Sequence, residues 1–234
     1  MLVVAHRTCP LDAPENSLAG IDAAASAGAD AVEVDVRLTR DRVPVLMHDP
    51  LPLRTTNARL PVPLSWRRSA AVAKLRMRQD GTPPPRFDQA VHHLPPGIGI
   101  AVDVKDGTAM AAAITVLDRS GRLGDALLWS SHPGAVRTAM VRARHTPRAY
   151  LHNTTDEAAA IAYCREASAL GATAVSIMDV SLTPEVVAAG HELGLTVFSW
   201  VRTLECQPQV IGARPDGVVT DHPAQARASI AALG

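Results

Sequence analysis

The sequence predicts an α/β fold, and more narrowly a (β/α)8 TIM barrel, from three observations. Nine short runs rich in Val, Ile and Leu alternate with Ala-rich stretches of helical character along the 234 residues. Helical stretches end at a glycine shortly before an apolar run, as in AGADAVEVDV and LGATAVSIMD. One link, LTRDR at 38–42, is too short for a parallel crossover. An open doubly wound sheet is the alternative architecture.

The strand candidates follow one another in a regular order. They lie at 2–6, 31–36, 43–48, 99–104, 126–131, 148–152, 173–178, 195–200 and 217–221. Because the link at 38–42 has the length of a turn, the second and third runs should form an antiparallel hairpin over 31–48. Without its return arm, eight strands remain, which is the number that this barrel needs.

The helix candidates fill the gaps between the strands. They lie at 17–28, 107–121, 156–171, 183–194 and in the stretch that begins at Pro223. Asn16 or Ser17 is a suitable N-cap for the first helix. Glycines at 28, 121, 171 and 194 mark helix ends. The segment at about 50–87 is a proline- and arginine-rich excursion with one helix near Ser69–Arg78, and we expect the chain 1–234 to form a single domain.

Composition argues against several classes of protein. Twenty-three basic residues balance 23 acidic ones, so no net charge attracts nucleic acid or an anionic membrane. No apolar run approaches the roughly 20 residues that span a bilayer and no apolar leader precedes the first strand, so we expect no stable membrane insertion. The three cysteines, Cys9, Cys164 and Cys206, are widely spaced, which argues against a disulfide framework and favours a reducing, cytoplasmic setting. The sequence leaves open whether the chain forms a homo-oligomer.

Acidic residues lie on two neighbouring strand candidates. Glu33 and Asp35 are two positions apart in AVEVDV, so both side chains point to one face of the strand. Asp103 and Lys105 repeat this spacing in AVDVKD. Three carboxylates at a barrel mouth form a hard oxygen-donor site suited to Mg²⁺ or Ca²⁺, and Lys105 could supply a positive charge to a phosphate oxygen or a leaving group. The alternative is a salt-bridged polar layer inside the barrel.

The hairpin also predicts a histidine near these acids. With the turn centred near Arg40 and Asp41, position 33 falls opposite position 48, which would set His48 beside Glu33 unless a bulge shifts the register. His6 and Arg7 end the first strand. Strand ends are where a parallel α/β fold places its chemistry, so acids, imidazoles and a guanidinium together suggest a metal-assisted phosphoryl site.

At this point the sequence resembles the glycerophosphodiester phosphodiesterase family. The family pattern His-Arg-Gly, Pro-Glu-Asn-Thr, Glu-x-Asp and His-Asp is met by His6-Arg7, Pro14-Glu15-Asn16-Ser17, Glu33-x-Asp35 and His48-Asp49. Weaker similarities are the Arg-Thr-Thr-Asn run at 54–57, Ser130-Ser131, Trp200 and the GVVTD run at 217–221. The resemblance covers nearly the whole chain, and its first fifty residues are the most specific part.

The resemblance implies a barrel of the phospholipase C-like phosphodiesterase type that hydrolyses glycerophosphodiesters to sn-glycerol 3-phosphate and an alcohol with a divalent cation. By this resemblance His6 and His48 would be the general acid and base, in either order, acting through a cyclic phosphate. The metal ligands would be Glu33, Asp35 and Asp103. Arg7 and Lys105 would bind the phosphate, with Trp200 either a wall for the glycerol or part of the core. Glu15 and Asn16 would order the first loop and the metal shell.

Two of the departures from the family pattern concern the first loop and the predicted metal ligands. Thr8 stands where the family has glycine, and Asp103 stands where it has glutamate. These departures motivate an alternative, a divergent barrel that binds phosphodiesters without turning them over. A sugar-phosphate isomerase or aldolase that uses Lys105 as a Schiff-base amine is a third hypothesis, but it gives the paired histidines no role.

Overall fold

Nine strands form one sheet in the computed structural model of the chain, which describes residues 1–232 apart from the side chain of Cys206. They are β1 (Leu2–Ala5), β2 (Ala31–Leu38), β3 (Pro44–Leu46), β4 (Gly99–Val104), β5 (Ala126–Ser130), β6 (Arg148–Leu151), β7 (Ala174–Met178), β8 (Thr196–Val201) and β9 (Gly217–Thr220). Parallel pairing runs from β1 through β9, β8, β7, β6, β5 and β4 to β2, and β1 also pairs with β2. Eight strands therefore close a ring, which confirms the predicted (β/α)8 barrel and rejects the open sheet.

The third strand confirms the predicted hairpin but corrects its register. Strand β3 pairs antiparallel with β2, Val36 opposite Leu46 and Leu38 opposite Pro44. The turn is centred on Asp41, because the Thr39 hydroxyl bonds the Asp41 carboxylate and accepts from the amide of Val43. Continued down the arm, this register sets position 48 opposite 34, so the predicted pairing with position 33 is wrong by one residue.

Helices cover the outside of the barrel. They are α1 (Leu18–Ser26), α2 (Ser69–Val72), α3 (Phe87–His93), α4 (Met110–Arg119), α5 (Pro133–Arg142), α6 (Glu157–Leu170), α7 (Pro184–Glu192), α8 (Gln207–Gly212) and α9 (Pro223–Ala231). The N-cap of α1 is Ser17, whose hydroxyl accepts from the amide of Gly20 at 2.9 Å. The predicted helix at Ser69–Arg78 is only four residues long. Its remainder is a turn followed by an isolated bridge, in which Met77 pairs with Thr56 and the amide of Arg78 donates to the carbonyl of Thr55.

Alternation along each strand separates two kinds of interior. Val32, Val34 and Val36 of β2 point outward, where they are buried beneath the helices. Inside the ring the side chains are mostly Ala and Val, and the space that they leave is filled by Trp129 and Phe198, whose rings meet edge to face at 5.4 Å. The same alternation turns the acidic residues of β2 into the barrel.

The excursion at about 50–87 packs on a small apolar cluster of its own. This cluster comprises Val45, Met47, Ala58, Leu64, Val72 and Leu75. A short 3-10 turn, Leu64–Trp66, and helix α2 lie in this segment. Within residues 1–232, none of the helices combines the length and the apolar character needed to cross a membrane.

Candidate active site

A cavity of about 520 Å³ opens at the carboxyl ends of the strands. Seven predicted site residues line it: His6, Arg7, Glu33, His48, Asp103, Lys105 and Trp200. The other three predicted residues, Glu15, Asn16 and Asp35, lie in the layer around it and contact its lining residues Arg7 and Lys105. The fold therefore brings together all the site residues that were predicted from the sequence.

The three predicted metal ligands form one cluster. In the barrel register Asp35 lies beside Asp103, and Glu33 lies one inward position below on β2. All three side chains are buried, and one oxygen of each lies within 4.8 Å of the others. Lys105 contacts this cluster, with Nζ 3.0 Å from Oδ1 of Asp35 and hydrogen-bonded to the carboxylate of Asp103.

The three carboxyl groups of the cluster differ in how readily they carry a negative charge. Burial and the neighbouring charge of Asp35 hold the pKa of Glu33 well above its usual range. Burial also raises the pKa of Asp103, although Lys105 opposes the shift. At Asp35 burial acts in the same direction but is outweighed by Lys105, Arg7 and a hydrogen bond from Asn16, so its pKa is lowered. The negative charge is therefore best stabilised on Asp35.

The surroundings of Lys105 favour its charged form. Burial acts to lower its pKa, but the adjoining carboxylates outweigh burial and raise it above the ordinary lysine value. A Schiff-base lysine must be neutral to attack a carbonyl, and enzymes reach that state by lowering the lysine pKa. The ion-paired amine of Lys105 has the opposite environment, which argues against the aldolase hypothesis.

The loop after β1 joins the acids through backbone and side-chain contacts. Arg7, Thr8 and Cys9 have φ values of 44°, 67° and 84°, so Thr8 takes a left-handed conformation that favours the glycine of the family pattern. This turn directs the amide of Arg7 to Glu33 at 2.7 Å. Asn16 bonds Asp35 twice, since its Nδ2 donates to the carboxylate and its Oδ1 accepts from the Asp35 amide.

Each of the two histidines contacts a different aspartate through the same ring atom, Nδ1. Nδ1 of His6 lies 2.7 Å from Asp221, and Nδ1 of His48 lies 2.7 Å from Asp49. A carboxylate at Nδ1 favours a proton there, which leaves Nε2 available to exchange a proton with another group. The ring of Trp200 lies 5.5 Å from that of His6 and forms a wall of the cavity.

Sequence reasoning missed four residues of this region. Asp49 and Asp221 were visible only as parts of motifs, beside His48 and at the end of GVVTD. Arg54 bonds Asp49 at 2.6 Å and both carboxylate oxygens of Glu15 at 2.7 and 2.6 Å. Trp129 lines the cavity, and its buried indole N–H has no hydrogen-bond acceptor among the described residues.

Cys9 is a bystander near the site. Its side chain is fully buried, and its Sγ lies 3.0 Å from Asp12. Burial and the Asp12 carboxylate raise the pKa of this thiol to about 12. Since the thiolate is the nucleophilic form, Cys9 is not suited to attack a substrate.

Comparison with known proteins identifies the family. The model of the glycerophosphoryl diester phosphodiesterase family matches residues 6–225. The chain belongs to this family. It is 56% identical over 54 residues to rat glycerophosphodiester phosphodiesterase 1, a segment that covers 23% of the chain and 16% of the rat protein. It is 46% identical over 56 residues to a glycerophosphodiester phosphodiesterase of Caldanaerobacter subterraneus, covering 24% and 23% of the two chains. The aligned segments thus span less than a quarter of these relatives.

Solved structures of family members share the whole architecture. The glycerophosphodiester phosphodiesterase of Agrobacterium tumefaciens superposes with a TM-score of 0.80 at 23% identity and 99% coverage of both chains. A phosphodiesterase of Oleispira antarctica in complex with the product sn-glycerol-3-phosphate superposes with a TM-score of 0.86 at 22% identity, over 99% of this chain and 97% of that one. At these identities the likeness establishes the common barrel.

Proposed function

We propose that this family member is a metal-dependent phosphodiesterase that hydrolyses glycerophosphodiesters to sn-glycerol 3-phosphate and an alcohol. One observation carries the proposal: a buried carboxylate triad shares a cavity with two histidines, each held by an aspartate. A cation site beside a pair of acid–base groups suits phosphoryl transfer. Family membership and the product named for the Oleispira antarctica structure support the same activity.

Two observations indicate that the triad fits a divalent cation. They are the type of its ligand atoms and a carboxylate oxygen that receives no hydrogen bond from the described residues. Glu33, Asp35 and Asp103 offer only hard oxygen ligands, which Mg²⁺ and Ca²⁺ prefer. Oδ1 of Asp35 is buried and accepts no hydrogen bond from the described residues, because Nζ of Lys105, 3.0 Å away, lies within ion-pair distance without hydrogen-bond geometry. When bound, the cation would withdraw charge from the phosphoryl oxygens.

The two histidines would carry the protons of the reaction. One removes the proton of the glycerol 2-hydroxyl, whose oxygen forms a new bond to phosphorus. The other protonates the oxygen of the departing alcohol as its bond to phosphorus breaks. Water then opens the cyclic phosphate with the two roles reversed. His6 and His48 suit this exchange, because each is anchored through Nδ1 and lines the cavity.

The remaining residues would bind and orient the substrate. Arg7 lines the cavity, and its Nε, 3.5 Å from Oδ2 of Asp35, has no hydrogen-bond acceptor among residues 1–232, so this guanidinium would bind a phosphate oxygen. Lys105 would add a second positive charge, and Trp200 would form a wall for the glycerol beside His6. Glu15 and Asn16 would keep the first loop and Asp35 in place.

The setting of the enzyme is part of the same proposal. The thiols of Cys9 and Cys164 are free and buried, which is consistent with a reducing cytoplasmic compartment. We further infer a single catalytic domain over 1–234 that acts on a small molecule without nucleic acid and without a segment inserted in a membrane.

Product release from glycerophosphocholine tests the function. Purified protein is incubated with this substrate in Mg²⁺, Ca²⁺ or EDTA. We expect sn-glycerol 3-phosphate to be released, EDTA to abolish release, and His48→Ala to reduce the rate about 10²–10⁴-fold. The control is His191→Ala, a histidine that contacts Asp216 on the exposed surface. Binding of glycerophosphocholine without turnover would favour the non-catalytic alternative instead.

A further inference from the structure

The excursion at about 50–87 concentrates positive charge in a chain whose net charge is zero. It carries eight Arg and Lys residues against one acid, Asp80. Two of the eight, Arg54 and Arg86, form ion pairs with carboxylates. Within residues 1–232, the other six have no acidic partner: Arg59, Arg67, Arg68, Lys74, Arg76 and Arg78. The balanced total therefore conceals a strongly basic surface.

Two large apolar side chains are exposed in the same segment. Trp66 is 72% exposed and Leu60 is 66% exposed. The apolar cluster beneath them is already filled by other residues of the segment, such as Leu64 and Val72. An exposed apolar surface that is bordered by charged side chains is typical of an interaction site.

Hydrogen bonds from the side chain of Arg67 bring these residues together. The guanidinium of Arg67 donates to the carbonyl oxygens of Leu60 at 3.2 Å and Val62 at 3.1 Å, which closes the loop over 60–67. Leu60 is thereby held near Trp66. We call the resulting surface the Trp66 patch; it consists of Arg59, Leu60, Trp66, Arg67 and Arg68.

The Trp66 patch lies on the side of the barrel that carries the cavity. The carbonyl of Arg67 accepts from the amide of Arg40 at 2.8 Å. Arg40 belongs to the turn that follows the carboxyl end of β2, and the carboxyl ends of the strands surround the cavity. A surface that bound this patch would therefore face the mouth side of the barrel.

We propose that the Trp66 patch docks the protein peripherally on an anionic lipid bilayer. Arginines near a membrane surface are attracted by anionic headgroups, and tryptophan prefers the headgroup level, where its ring is apolar and its N–H is solvated. Leu60 adds apolar area that a bilayer can bury. A nucleic acid would use the charges but would leave Leu60 in water, and helix α2 beside the patch has only four residues, too few to fill a groove.

Vesicle co-sedimentation tests the proposal on the full chain. Vesicles of phosphatidylcholine alone are compared with vesicles that contain 30 mol% (about one lipid in three) phosphatidylserine, at low and at physiological salt. We expect binding to the anionic vesicles only, weaker at higher salt. Trp66→Ala with Arg68→Glu should reduce partitioning at least about tenfold, since each basic residue contributes about fivefold.

The matched control changes an equivalent pair at the opposite end of the barrel. Val141 is 76% exposed at the end of α5, and its neighbour Arg142 forms no ion pair in the described chain. Val141→Ala with Arg142→Glu should bind anionic vesicles as the parent does. Both double variants should keep the parent melting temperature and its rate on soluble glycerophosphocholine.

Three results would overturn the proposal. The first is that the protein binds neutral and anionic vesicles equally, or binds neither kind. The second is equal loss of binding in both double variants, which would indicate general charge attraction. The third is that the protein binds a DNA or RNA duplex but no vesicles, and that Trp66→Ala with Arg68→Glu abolishes binding to the duplex. None of these results depends on whether the protein hydrolyses glycerophosphodiesters.

Discussion

His6 and Asp221 are 215 positions apart in the sequence, yet Nδ1 of one lies 2.7 Å from Oδ1 of the other. They meet because β1 and β9 are parallel neighbours in the closed ring, with Ala5 beside Thr220. Closure of the barrel therefore also supplies the partner that orients a proposed acid–base group.

Asp221→Asn should reduce kcat about 10–100-fold with little change in stability. The amide keeps the size of the side chain but removes the charge that favours a proton on Nδ1 of His6. Steady-state kinetics on glycerophosphocholine and a thermal melt measure both quantities. The control is Asp22→Asn, which changes a similar pair, His93 Nε2 with Asp22 at 2.9 Å, on the outside of the protein. An unchanged kcat would show that Asp221 does not orient His6.

Arg54→Gln should lower kcat about tenfold and shift the acid limb of the activity profile to higher pH. Burial acts to raise the pKa of Asp49, but hydrogen bonds from Arg54 and His48 outweigh it and lower that pKa. Without Arg54 the pKa of Asp49 rises, so the charged partner of His48 is lost at a higher pH as the solution is acidified. The rate is measured between about pH 4 and 9.

Arg86→Gln is the matched control for this change. Arg86 donates two hydrogen bonds to Asp88 on the exposed surface, as Arg54 does to Glu15. Its loss should leave the rate and the pH profile as they are. If Arg54→Gln also leaves the acid limb in place, Asp49 does not need Arg54 to stay charged.

Gly20→Ala should destabilise the fold by about 1–3 kcal/mol through the first loop. A Cβ at Gly20 would meet the hydroxyl of Thr8 and would lie 2.6 Å from the Thr8 carbonyl oxygen. Thr8 cannot easily retreat, because it is fully buried and its hydroxyl accepts from the amide of Ser17. We expect the melting temperature to fall by about 5 °C. Gly134→Ala should not lower it, because among the described residues no atom outside the neighbouring residues and the helix's own backbone lies within 4 Å of the added Cβ.

Cys9 should resist alkylation in the native protein. With a pKa of about 12, roughly one thiol in ten thousand is a thiolate at pH 8, and burial limits access further. Iodoacetamide labelling, mapped to the Cys9 peptide by mass spectrometry, should be slow and should accelerate as the pH rises. The same peptide from protein unfolded in guanidinium should label at once. Rapid native labelling would contradict the buried environment.

Much of the fold was predictable, because each strand is a short run rich in β-branched residues. The position of the acids was also predictable, because residues two apart on a strand point to the same face. The turn-length link at 38–42 indicated the hairpin, and the i, i+2 pattern indicated Glu33 with Asp35. The hairpin register was not predictable, because a side-chain bond from Thr39 to Asp41 sets the turn. The partners of the histidines depend on ring closure, and Arg54 comes from an irregular segment without periodicity.

Lys105→Met should destabilise the metal-free protein by about 3 kcal/mol and make it respond more strongly to Mg²⁺ than the parent does. Without the ammonium group, the buried carboxylates of Asp35 and Asp103 lose their shared cation, and an uncompensated buried charge is costly. A divalent cation bound by the triad would restore the lost compensation.

Thermal melts of the two proteins in EDTA and in Mg²⁺ measure this exchange of one cation for another. We expect the variant to melt lower in EDTA and to gain more in melting temperature on addition of Mg²⁺. Lys74→Met, a change at an exposed lysine of the excursion, should leave both melts unaltered. If Mg²⁺ raises neither melting temperature, the triad does not bind this cation, and the same melts with Ca²⁺ then decide whether it binds either ion that its oxygen ligands favour.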